Sequence, residues 1–239
     1  IAQVTRFNGY SKTTLPDEVM ISLKELTRFR TFLVDDISDY KRKATVVLDK
    51  IFPEYTQIFS DTFGKTSKEI LTKYPLPKDI LDEDLESLAK VLSTSSKGRL
   101  GYSKAEQLQN LAKESFGIKF ATEALVMEIK SILSTIEHLQ NQVSKLDEKI
   151  AVLLRSLGTT IETIPGIGPI LGAIIVSEIG DINRFSHASK LVAYAGIDPT
   201  VKQSGEFNAT KNRMSKRGTP YLRRALWTAS IVAAFNDPN

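Results

Sequence analysis

The chain has 239 residues, with 41% hydrophobic, 25% charged and a formal net charge of +4. These values fit a globular protein with one or two modest cores and exclude a disordered one. It contains no cysteine, which excludes disulfides, thiolate nucleophiles and cysteine-ligated metals; a reducing, cytoplasmic setting is expected. The longest apolar stretch, Ala225 to Phe235, is interrupted by Thr228 and Ser230 and is far shorter than the roughly 20 residues of a membrane span.

Near the start, Pro16, Asp17 and Glu18 suit a first helical turn, since proline lacks the N–H that would go unpaired and the acids face the positive end of the helix dipole. Leu33, Ile37, Tyr40, Ala44, Val47 and Ile51 recur in steps of four and three up to Phe52-Pro53. That spacing predicts one long helix, about 55 Å at ~1.5 Å per residue. Residues 58 to 120 contain Pro75 and Pro77 as breakers and a Ser/Gly/Lys-rich stretch from Ser93 to Ser103, which predicts short helices around a loop.

From Leu125 the pattern sharpens. Leu125, Ile129, Ile132, Ile136, Leu139, Val143, Leu146, Ile150, Leu153 and Leu157 follow steps of four and three without a break, a coiled-coil seam. It predicts self-association through residues 125–157; packing on other helices of the same chain is the alternative. His138 lies off the seam and His187 near a helix start, so they form neither a dyad nor a metal cluster. Asp35, Asp36 and Asp39, like Asp82, Glu83 and Asp84, read as solvent-facing helix charges, so no metal site is assigned. No strand-period segment of any length appears. The expected fold is mainly α: a long helix and a coiled-coil segment, then a small helical domain with a helix-hairpin-helix.

That last motif is read from Ile164-Pro165-Gly166-Ile167-Gly168-Pro169. Two glycines allow a tight turn, and Pro169 opens the following helix where a missing N–H costs nothing. The exposed amides of such a helix start suit a phosphate oxygen, so Gly166, Ile167 and Gly168 are candidate DNA-backbone contacts. Farther on, residues 201 to 224 hold Lys202, Lys211, Arg213, Lys216, Arg217, Arg223 and Arg224 against the single acid Glu206. These seven cations are the remaining candidate DNA contacts, although a charge run can also be a solvated face.

Five segments then form one ordered series: Ile-Pro-Gly-Ile-Gly-Pro (164–169), Glu-Ile-Gly-Asp-Ile-Asn-Arg-Phe (178–185), Leu-Val-Ala-Tyr-Ala-Gly-Ile-Asp-Pro (191–199), Gln-Ser-Gly (203–205) and Ser-Lys-Arg-Gly-Thr-Pro-Tyr-Leu-Arg-Arg (215–224). The series closely resembles the C-terminal domain of the insertion sequence 110 family of transposases, grouped with insertion sequences 116 and 902. By this resemblance residues 1–57 are the tail and long helix of a RuvC-like domain, 58–157 a helical coiled-coil region, and 158–239 the C-terminal transposase domain.

The resemblance implies cleavage and rejoining of DNA during transposition. Ser204, the serine before the loop glycine, would be the catalytic nucleophile that is transiently phosphorylated. It further implies magnesium held by carboxylates of a RuvC-like domain expected before Ile1, and a structured guide RNA as partner. The chain would then be N-terminally truncated and inactive alone. The alternative is a non-catalytic helix-hairpin-helix module that binds DNA and dimerises.

Overall fold

The computed structural model describes residues 17–200, 203–204, 207–208 and 213–236. In chain order these form α1 (Glu18–Ile51), α2 (Lys65–Lys73), α3 (Pro77–Asp82), α4 (Leu85–Ser96), α5 (Tyr102–Glu114), α6 (Thr122–Ser156), α7 (Pro169–Ile179), α8 (Ala188–Ala195), β1 (Gln203–Ser204), β2 (Phe207–Asn208) and α9 (Pro220–Asn236). The expected mainly α class holds. One feature departs from it: β1 and β2 pair antiparallel, Gln203 with Asn208 and Ser204 with Phe207. Two residues per strand are too few for a period-2 pattern to show in the sequence.

The described chain divides into two compact units. One comprises residues 32–144; the other joins residues up to Thr31 with Lys145 onward. The units are therefore not consecutive segments, because α1 and α6 each contribute residues to both.

In the 32–144 unit, Leu33, Ala44, Val47 and Ile51 of the α1 stripe are buried, with Ile37 and Tyr40 packed at the edge of the core. Phe52, Tyr55, Ile70, Leu71, Ile80, Leu88, Leu92 and Leu108 complete that core. The C-terminus of α1 is closed by the segment after α5. Ile118 N–H donates to the Lys50 carbonyl at 2.8 Å, and a Cβ on Gly117 would overlap the Ile51 carbonyl. The Ser/Gly/Lys stretch is a shorter loop than its composition suggests, for α4 continues through Ser93 to Ser96. Ser95 Oγ donates back to the Val91 carbonyl at 2.8 Å, and Ser96 Oγ accepts from Leu100 N–H at 2.8 Å, so the serines bond locally while the helix persists. Lys97 and Gly98, both at positive φ, end it.

Much of the coiled-coil seam is used inside the chain. Leu125, Ile129, Ile132 and Ile136 are buried in the core of the 32–144 unit. In the other unit Ile150 is buried with Leu154, Leu23 of α1 and Ala173 of α7, and Leu146, Leu153 and Leu157 pack at the edge of that cluster. A second cluster of the same unit joins Ile174 and Ile175 of α7, Ala195 of α8, and Leu222 and Ala225 of α9. No helix among the described residues is long and apolar enough to cross a membrane.

Candidate nucleic-acid interface

The glycine turn before α7 separates its residues by role. Gly166 has φ +83, and a Cβ there would lie 2.6 Å from the Ala229 carbonyl and 2.8 Å from the Ala233 amide. Its missing side chain thus admits α9. Ile167 packs at the edge of the α7–α8–α9 cluster. Gly168, by contrast, is exposed and faces open space. It is the N-cap residue of α7 and Pro169 follows at the first helical position, with no side chain capping the end. The element before the turn is a single 3-10 turn, Ile161–Thr163.

Beyond α8 two glycines bring distant backbones into contact. Gly196 ends the helix at φ +69, and a Cβ there would sit 2.6 Å from Gly218 N. A Cβ on Gly218 would overlap the Tyr194 carbonyl oxygen. The crossing is held by backbone bonds: Lys216 N–H to the Gly196 carbonyl at 3.0 Å, Ser215 N–H to Asp198 at 2.8 Å and Thr200 N–H to Arg213 at 2.7 Å. Pro199 and Met214 form an antiparallel bridge. Residues 197–200 and 213–216 therefore make the antiparallel stem of a basic arm; between them in sequence β1 pairs with β2, and Ser204 is the last residue of β1.

Asp198 secures that stem through its side chain, accepting from Ser215 Oγ and from Arg217 Nη2 at 3.2 Å. The Ser215 bond, aided by Arg217 and opposed by burial, holds the Asp198 carboxyl below the usual carboxylate range. The nearby cations fall into distinct settings. Arg213 and Lys216 are exposed, and Lys216 stands in the left-handed region at φ +54, which costs a residue with a Cβ. Arg217 has a side chain 76% exposed despite its pairing; such surface pairs are weak, so it can turn to another anion. Arg223 is half-buried and donates to the Ala195 carbonyl at 3.2 Å, capping α8 in the way a cation suits a helix C-terminus. Arg224 is exposed on α9.

A buried carboxylate organises the base of this region. Glu178, near the end of α7, accepts from Arg28 Nε at 2.7 Å and Nη2 at 3.1 Å and from Thr219 Oγ1 at 3.0 Å. Lys24 Nζ is 3.7 Å away. Its backbone carbonyl takes the Tyr194 hydroxyl at 2.9 Å. Arg28 in turn lies over the Tyr221 ring at 4.8 Å. Burial alone would raise the Glu178 carboxyl, but the Arg28 and Thr219 hydrogen bonds and the neighbouring cations outweigh it and hold it below its ordinary value. One side chain thus ties α1, α7 and the residue just before α9.

Of the residues proposed from sequence, the structure brings Arg213, Lys216 and Arg217 to one arm and sets Arg223 at its base. Gly166, Ile167 and Gly168 lie together at the start of α7. Lys202 and Lys211 lie outside the described residues, as does the Ser204 side chain. Sequence reasoning missed Glu178, although an acid near the end of the apolar run 169–179 signals a partnered buried charge. Among the described residues no group of three or more His, Cys, Asp or Glu converges on a metal-sized site. The magnesium implied by the resemblance thus finds no ligand set in them.

A glycine-locked basic arm on a small helical bundle defines the class of domain, and comparison with known proteins supplies its relatives. Residues 158–239 match the family described as Transposase IS116/IS110/IS902 family. This is the part of the chain that holds the ordered motif series, and it is similar to the family that the series resembles. The chain is 25% identical over 221 residues, 89% of its length and 52% of the relative's, to the insertion element IS116 uncharacterized 44.8 kDa protein of Streptomyces clavuligerus. It is 22% identical over its whole length, and over 60% of the relative's, to the mini-circle putative transposase for IS117 of Streptomyces coelicolor. A pilin gene-inverting protein of Moraxella bovis is 31% identical over 120 residues, 47% of this chain and 37% of that protein. The chain spans about half the length of the first of these relatives.

Proposed function

We propose that this chain takes part in cutting and rejoining DNA during transposition, with the basic arm as the DNA contact and Ser204 as the nucleophile. The match of residues 158–239 to the transposase family carries the reading; the names of the IS117 and pilin-inverting relatives are in line with it. The geometry supports the division of labour. A stem fixed by the Gly196–Gly218 crossing presents the exposed Arg213, Lys216 and Arg217, and in sequence the strand that ends in Ser204 lies between the two halves of that stem.

The chemistry is an exchange of esters. Ser204 Oγ attacks a backbone phosphorus, an Oγ–P bond forms, one P–O bond to sugar breaks, and the serine proton passes to solvent as the departing sugar oxygen takes one up. Attack by a sugar hydroxyl on the phosphoserine restores a phosphodiester and frees the serine. One phosphodiester-type bond is kept throughout, so rejoining needs no external energy source. Arg213, Lys216 and Arg217 would offset the phosphate charge in the ground state and as it develops in attack. At the start of α7, the open face of Gly168 leaves room for a second phosphate at the uncapped helix end. The resemblance alone supports a structured guide RNA, magnesium held outside the described residues, and self-association.

Strand exchange by the native protein on DNA carrying the element's ends tests this reading. Ser204→Ala should abolish exchange while DNA affinity stays within about threefold, since a serine hydroxyl adds little to backbone binding. Exchange at the unsubstituted rate would instead favour a binding module without chemistry.

A further inference from the structure

Arg184 lies outside the run of cations at 201–224. It closes the short turn Ile182–Arg184 after α7 and is exposed. Its guanidinium carbon stands 4.6 Å from the Phe185 ring centroid and 4.4 Å from that of Tyr194, and the two rings are themselves 5.3 Å apart. The Tyr194 hydroxyl is fixed by the Glu178 carbonyl, and the Tyr194 backbone touches Gly218 at the crossing. The arginine is therefore held at the edge of the same crossing that carries Lys216 and Arg217. The acid nearest in sequence, Asp181, accepts the Asn183 N–H at 2.9 Å.

We propose that Arg184 is a further DNA-backbone contact, a guanidinium held in place by two aromatic rings to bind a phosphate of duplex DNA. The inference rests on the DNA-binding reading above and adds a residue to it. Stacking uses the flat face of a guanidinium and leaves its in-plane N–H groups for the paired bonds that match phosphate oxygens. A side chain already ordered by its rings also loses less conformational freedom on binding than a free surface cation does. The contact reads no sequence, because it ends on the phosphate.

The test is duplex-DNA binding by the whole chain across a salt series, for the unsubstituted protein, Arg184→Gln and Arg184→Lys, with circular dichroism and melting curves to verify folding. Removing one cation that neutralises a phosphate lowers the slope of log affinity against log salt by about 1. Arg184→Gln should lower the slope by that amount and weaken binding about tenfold at low salt. Arg184→Lys should keep the slope and bind with intermediate affinity, since it retains the charge without the stacked plane. An unchanged slope for Arg184→Gln in a protein that binds DNA overturns this contact and leaves the DNA reading standing. Failure of the unsubstituted chain to bind duplex DNA overturns both.

Discussion

At Gly166 a methyl group would meet the backbone of α9 and would also be held at φ +83, so Gly166→Ala should destabilise the C-terminal domain by about 2–3 kcal/mol through overpacking and strain. Gly168 has an ordinary φ and open space before it. Gly168→Ala should therefore leave stability within roughly 0.5 kcal/mol. Urea denaturation of the two variants checks both values. The contrast matters for function: a loss of DNA affinity in Gly168→Ala with stability unchanged points to phosphate contact at the start of α7, whereas one in Gly166→Ala follows from disturbed packing. Gly218, whose Cβ would overlap the Tyr194 carbonyl, should tolerate alanine no better than Gly166 does.

Among the elements, α1, α7 and the entry to α9 depend on Glu178. Replacing it with glutamine leaves Arg28 without its charged partner, and the expected loss is about 2 kcal/mol. Faster amide exchange in residues 19–31 should accompany that loss, because Arg28 and Lys24 lie there. The pH dependence has a definite sign. The Glu178 carboxyl is lowered from its ordinary 4.5, so its stabilisation is complete above that value and fades as pH falls through the lower folded value. Acid titration of stability should show this loss below about pH 4.5, and Glu178→Gln should remove its share of it. Sequence periodicity made α1 and α6 legible, since their apolar stripes appear directly in the residues. It did not say where the stripe of α6 would be buried; that depends on α1 packing against it at Leu23 in one unit and at Ala44 to Ile51 in the other. Glu178 was not legible either, because its partners lie 150 residues before it and 41 after.

For the molecule as a whole, the motif series around 158–239 was informative where composition was not: a net charge of +4 says little about which face meets DNA. The fold concentrates Arg213, Lys216 and Arg217 on one arm. DNA affinity should accordingly fall with salt, and Arg213→Gln or Lys216→Gln should each reduce the slope by ~0.9. The short β1–β2 pair was not legible, because two residues per strand show no alternation in the sequence. The chemistry at Ser204 is read most directly from its covalent intermediate. The native protein, mixed with duplex DNA that is nicked beside the cleavage position and quenched in denaturant, should form a covalent protein–DNA adduct, and peptide mass spectrometry should place the phosphate on Ser204. No adduct with the unsubstituted protein under conditions that support strand exchange, or an equal yield from Ser204→Ala, would contradict the account.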